Sequence, residues 1–236
     1  MLDLFPFFNY FCYGYLWSFL LDKVSMVIYN KYNNNSIYSQ NVRWFFIHCI
    51  MNIYITVIGF ENIKYSLYNI SECSIQKWIN GYEMYGIAMS LHFYHIFNFK
   101  LNKMDWIHHI MTAILTGPII LLTNPTCSSA VGLWFTSGLP GAIDYFLLWL
   151  VKMGYCNKNI EKYAYVLLSC WLRAPGCIYT ASINTGLLPH VHELTLYEVI
   201  GRAWTTFVVY WNGIFFMHVT LKDYYTNIGK NSLKTL

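Results

Sequence analysis

The chain has 236 residues, of which 56% are hydrophobic, 19% aromatic and only 11% charged. A soluble domain carries about 25% charged residues, and so few charges do not cover a surface around so many apolar side chains. The same figures exclude a disordered chain, and a net charge of +4, scattered along the sequence, is too weak for a nucleic-acid footprint.

A membrane-crossing helix needs about 20 mostly apolar residues. Seven stretches qualify: Leu4–Leu21, Val42–Phe60, Tyr82–Phe99, Trp106–Thr123, Ser128–Val151, Ile160–Ile183 and Tyr197–Leu221. Their apolar runs are continuous rather than alternating, which favours helices over barrel strands. The expected fold is all-α, a polytopic membrane bundle of about seven transmembrane helices.

The basic residues check this reading independently. Lys23, Lys31, Arg43, Lys100, Lys103, Lys152, Lys158, Lys162, Lys222, Lys230 and Lys234 follow odd-numbered spans, whereas only Lys64 and Lys77 follow even-numbered ones. The positive-inside rule then puts the N-terminus in the lumen and the C-terminus in the cytosol. Met1-Leu2-Asp3 supplies no basic leader and no small-residue cleavage site follows, so the first span is expected to remain as an anchor.

The cysteines form no C-x-x-C signature. Cys12, Cys49, Cys170 and Cys177 fall within spans as small core residues. Cys73 and Cys127 fall in predicted lumenal loops, where an oxidising compartment permits a disulfide without requiring one. The sequon Asn69-Ile70-Ser71 lies on the same side, while Asn34-Asn35-Ser36 lies on the cytosolic side and is expected to stay unmodified.

Ionisable residues at membrane depth are costly and point to function. His92 and His95 share a helix face near the end of span 3. Span 4 opens with Asp105-Trp106-Ile107-His108-His109, where Asp105 and His109, and His108 and Thr112, stand four apart. Counting 1.5 Å per residue from the cytosolic helix ends, His108 and His109 lie roughly 4–6 Å deep, His92 and His95 roughly 6–10 Å, and Asp144 ~12 Å. His218 falls at a similar level. Arg173 sits near mid-membrane in Trp171-Leu172-Arg173-Ala174-Pro175-Gly176, with a side chain long enough to reach toward Asp144. Gly138-Leu139-Pro140-Gly141 interrupts span 5 just before Asp144, and a broken helix beside a buried acid marks a cavity. Glu198 and Arg202, four apart, read as an ion pair, and His48, His190 and His192 read as structural.

Residues 104–124 run Met-Asp-Trp-Ile-His-His-Ile-Met-Thr-Ala-Ile-Leu-Thr-Gly-Pro-Ile-Ile-Leu-Leu-Thr-Asn, followed by Gly132, Pro140-Gly141-Ala142-Ile143-Asp144 and Leu147. This series resembles the TLC-domain family, which includes the ceramide synthases and the translocon-associated TRAM proteins. In ceramide synthases a His-His-x-x-Thr helix precedes an Asn, a Gly, a His-Asp-x-x-Asp and a Leu. The resemblance covers about 42–221 as a six-helix core, with 1–41 as an extra N-terminal helix and loop and 222–236 as a cytosolic tail. Two positions depart: Pro140-Gly141 replaces the family's His-Asp, and His95 stands where many members carry an acid.

The resemblance implies a lipid-handling protein of the endoplasmic reticulum or another endomembrane. It implies acyl transfer from acyl-CoA to a sphingoid-type amine, with His108, His109 and Asp144 as catalytic residues and Thr112 beside them; the polar residues at membrane depth add His92, His95 and Arg173 around the substrate. Imidazole serves such a reaction as base or nucleophile near neutral pH. The missing His-Asp leaves a second reading open, a non-enzymatic relative acting in lipid sensing, membrane lipid composition or protein trafficking.

Membrane lipids are the expected partners, with no nucleic acid, and a homo-oligomer is compatible with the sequence. No tightly bound cofactor or metal is expected, and acyl-CoA enters as co-substrate. A di-iron hydroxylase needs more histidine boxes than H-x-x-H and H-H, and a retinal protein needs a Lys that the stretch from Arg202 to His218 lacks. A zinc ion on some of His92, His95, His108, His109 and Asp144 is chemically permitted.

Overall fold

Apolar runs of this length close their backbone hydrogen bonds internally, and the chain does so as helix almost throughout. The computed structural model describes residues 4–32, 39–123, 125–186, 192 and 194–234. Asn34, Asn124 and His190, singled out above, lie outside these residues. The elements are α1 (Phe5–Tyr32), α2 (Ser39–Tyr68), α3 (Ile70–Cys73), α4 (Gly81–Asn98), α5 (Lys103–His109), α6 (Gly117–Leu122), α7 (Cys127–Leu133), α8 (Leu139–Lys152), α9 (Lys158–Leu168), α10 (Ala174–Thr185) and α11 (Leu196–Lys234). Among the described residues the sole β pairing is an isolated bridge between Lys77 and Thr126.

Three π-helical turns join some of these helices end to end: Ile110–Thr116 between α5 and α6, Trp134–Gly138 between α7 and α8, and Ser169–Arg173 between α9 and α10. The result is seven continuous rods, 5–32, 39–68, 81–98, 103–122, 127–152, 158–185 and 196–234. They correspond to the seven expected spans, with α1 running on to Tyr32 and α11 to Lys234.

Three rods, Gln40–Tyr68, Lys103–Leu122 and Lys158–Thr185, are long and apolar enough to cross a membrane. The other four fall short of that combination of length and apolarity. Helix α1 includes Asp22 and Lys23, and the 18-residue α4 includes Glu83, Ser90, His92, His95 and Asn98.

A proline follows each π turn at the first or second position of the next helix: Pro118, Pro140 and Pro175. Proline lacks an N–H, and its ring crowds the carbonyl four residues back. A widened turn relieves that crowding, and π turns occur frequently at functional sites. The hydroxyl of Thr116 marks the widening, donating to the carbonyl of Met111 five residues earlier at 2.7 Å.

Helix starts and stops follow ordinary chemistry. Asn102 and Asp105 form a reciprocal capping box at α5. The Asn157 side chain accepts from the Asn159 N–H at α9. Gly154, at φ 82°, turns the chain after α8 in a region that L side chains rarely adopt.

Helix α1 packs on α4 and α2, α2 packs on α7 and α8, and α10 packs on α11 and α7. At Gly86 an added Cβ would stand 2.9 Å from the backbone nitrogen of Phe11, so glycine lets α1 and α4 touch backbone to backbone.

Polarity is distributed inside out. Ser18, Ser25, Asn52, Asn62, Ser90 and Thr180 are buried, while Trp171 is 79% exposed and Phe97, Val57 and Ile114 also face outward. Apolar perimeters around polar interiors suit a lipid solvent.

Candidate functional site

Helix α4 ends in an extended Phe99, and the capping box starts α5 three residues later. The two helices thereby bring the end of one against the start of the other. His109 enters between His92 and His95: its Nδ1 lies 2.9 Å from Nδ1 of His92, and its Nε2 lies 2.9 Å from Nδ1 of His95. Both ring nitrogens of His109 are thus engaged, and the residue is 2% exposed. The Trp44 indole lies flat on the His95 ring, centroids 3.6 Å apart.

His108 stands beside this trio without joining either bond. Its ring centroid is 5.1 Å from that of His92 and 5.5 Å from that of His109. The expected pairing of His108 with Thr112 is made through the backbone, since the threonine hydroxyl donates to the His108 carbonyl at 2.6 Å. Asp105, expected near His109, caps its own helix by accepting from the Asn102 N–H.

On the other side of His108, the edge of Phe216 approaches its ring, with centroids 6.4 Å apart. The Arg173 guanidinium lies over the same phenyl ring at 4.3 Å and donates to Asn212 Oδ1 at 3.0 Å. Its Nε is buried with no hydrogen-bond partner, as is Oδ1 of Asp144. Asp144 feels the charges of Arg173 and Glu161, yet no ion pair joins it to Arg173 and no hydrogen bond joins it to a histidine. Successive helical residues point about 100° apart, and the neighbouring Tyr145 turns toward His48 on α2. Its ring stacks on His48 at 3.8 Å.

His48, read above as structural, is held by a hydrogen bond and by rings on both sides. Its Nδ1 pairs with Asn52 Nδ2 at 2.8 Å, Ser137 donates to Asn52 Oδ1 at 3.1 Å, and the Trp44 edge meets its ring at 4.6 Å. Trp44, His48 and Asn52, four residues apart, form one stripe of α2, and that spacing was the available signal. A second unforeseen group lies nearby. Arg43 binds Asp22 at two points, Nε to Oδ1 and Nη2 to Oδ2, both at 2.6 Å, and Tyr94 donates to Asp22 Oδ2 at 2.9 Å. This pair ties α1 to α2 and α4.

His218 and His192 are exposed and stand apart from the cluster. Glu198 accepts from Thr195, Arg202 donates to the Ser74 carbonyl at 3.1 Å, and Glu83 accepts from the Tyr54 hydroxyl. At the opposite end of the bundle, Cys73 and Cys127 form a disulfide. Among the described residues no set of three or more His, Cys, Asp or Glu is arranged to hold a metal ion.

Fold and site together define an all-α protein with membrane-length helices and a buried histidine cluster at one end of its bundle. Compared with protein-family models, with curated proteins and with solved structures, the chain matches none.

Proposed function

We propose that all seven rods cross an endomembrane, that of the endoplasmic reticulum, with the N-terminus lumenal and the C-terminus cytosolic. The protein handles lipids at the histidine cluster, moving an acyl group from acyl-CoA to a long-chain amine of the sphingoid type. The observation that carries this reading is His108, an imidazole outside both hydrogen bonds, beside three interlocked histidines.

The amine nitrogen attacks the thioester carbonyl, the C–N bond forms, the C–S bond breaks and CoA leaves as thiolate. His108 takes the proton that the amine loses. His109, with both nitrogens engaged, positions rather than reacts. Arg173 Nε and Asp144 Oδ1, a donor and an acceptor without partners, offer a polar lipid headgroup the complementary contacts. Lys100, Lys103, Lys152 and Lys158 at the same end suit the phosphates of CoA, which stays in water while its acyl chain enters lipid. The TLC-like series around His108, His109 and Asp144 supports the same chemistry.

A second reading, a non-enzymatic protein for lipid sensing, lipid composition or trafficking, is favoured by one observation. Asp144 bonds no histidine, in keeping with Pro140-Gly141 standing in place of His-Asp. The discriminating experiment gives the purified protein labelled acyl-CoA with a panel of long-chain amines and lysolipids. Amide product from an amine supports the transferase. Absence of both product and acyl-protein, in a folded preparation that still binds lipid, supports the second reading.

A further inference from the structure

An imidazole–imidazole hydrogen bond needs one protonated nitrogen and one bare one. His109 bonds His92 through Nδ1 and His95 through Nε2, so the three rings cannot choose their tautomers independently. Only two neutral arrangements satisfy both bonds. In the first, His92 Nδ1–H donates to His109, whose Nε2–H donates to His95. This leaves a bare Nε2 on His92 and an N–H at Nε2 of His95. In the second, every donor and acceptor is exchanged. We infer that His92, His109 and His95 form a one-proton relay running from the His108 side of the cluster to the Trp44 side.

The balance is complete. A proton arriving at His92 Nε2 makes that ring cationic, and its Nδ1 proton moves to His109 Nδ1. The Nε2 proton of His109 then moves to His95 Nδ1, and His95 releases its Nε2 proton to water. No ring ends charged, and the chain stands in its second arrangement. A return pass, with a proton entering at His95 Nε2 and leaving at His92 Nε2, restores the first.

Acyl transfer asks for one pass each way: the amine proton, taken by His108, goes out, and a proton comes in for the departing thiolate. That use of the relay rests on the proposed transferase reading, whereas the coupling of the three tautomers does not. The Trp44 indole fixes the plane of His95, and burial of His109 keeps water from replacing either bond.

The test uses full-length protein, labelled with ¹⁵N-histidine and reconstituted in nanodiscs. Nuclear magnetic resonance is expected to show nitrogen–nitrogen couplings across both bonds of His109 in the wild type. His95→Met offers a weak acceptor and no donor, so His109 keeps its proton at Nε2 and accepts at Nδ1, which is expected to fix His92 as its Nδ1–H tautomer although His92 and His95 share no hydrogen bond. If the couplings are absent, or His92 in His95→Met carries its proton at Nε2 rather than Nδ1, the relay is wrong. This holds whether or not the protein turns over acyl-CoA, and the wild-type couplings decide the matter even if the variant does not fold. Where turnover is present, His95→Met lowers kcat by about 10²-fold, the lower end for a placed proton-transfer group, with an unchanged KM for acyl-CoA. An unchanged kcat contradicts the relay's part in the reaction.

Discussion

The indole of Trp44 and the imidazole of His95 are stacked 11° from parallel, so one ring on α2 sets the orientation of a histidine on α4. Trp44 is itself buried and also touches His48 and Phe99. Trp44→Ala is expected to cost about 3–5 kcal/mol, as for other buried aromatic truncations. Trp44→Phe keeps a stacking ring and is expected to lose less. Thermal unfolding in one detergent, wild type against both variants, checks the order.

Arg43 and Asp22 make the strongest polar contact between α1 and α2, and Asp22 is 4% exposed. Removing one member leaves the other charge buried, which costs about 3–5 kcal/mol. Arg43→Met is therefore expected to destabilise more than the double replacement Arg43→Met with Asp22→Leu, which leaves no orphaned charge. Unfolding midpoints of the single and double variants measure the difference. A double variant worse than Arg43→Met would show that the pair contributes beyond mutual neutralisation.

The Cys73–Cys127 bridge spans 54 residues of sequence and encloses α4, α5 and α6. Closing a loop of that size in a free chain is worth about 4 kcal/mol, and less is expected under the proposed topology, in which a membrane already confines the enclosed helices. Reduction should slow migration on a non-reducing gel, and Cys73→Ser should lower the unfolding temperature without shifting the histidine resonances at the other end.

Orientation makes a separate prediction. The proposed orientation puts α3 and the disulfide in the lumen, so under it Asn69 meets the glycosylation machinery and Asn34 does not. Expression in microsomes that glycosylate, followed by glycosidase treatment, is expected to give a mass shift that Asn69→Gln abolishes. A glycan on Asn34 would invert the topology and with it the assignment of the histidine end to the cytosol.

Much of this architecture is written in the sequence because long apolar runs specify helix directly. All seven rods fall where apolar length puts them, and His92, His95, His108 and His109 meet because two helix ends joined by a short connection must adjoin. What was illegible depended on side-chain direction and on packing. The spacing of four between His108 and Thr112 makes them neighbours, but it does not report that the Thr112 hydroxyl turns onto the His108 carbonyl, as helical threonines commonly do, rather than toward its ring. Asp144 was placed near the histidines by depth alone, which does not report the direction in which a side chain turns, and no hydrogen bond joins its buried Oδ1 to any of them. Arg43 entered the sequence reading only as one of the basic residues after the first span, and Asp22 was given no role. Their pairing needs α1 and α2 to pack closely, which no local pattern reports.

The most direct measurement of the central claim is product formation from labelled acyl-CoA and a long-chain amine by reconstituted protein, wild type against His108→Ala. The account predicts measurable turnover in the wild type and a loss of about 10²–10⁴-fold in the variant, the contribution of a positioned base. Equal rates for the two proteins, or no amide product from a folded wild type, would contradict it.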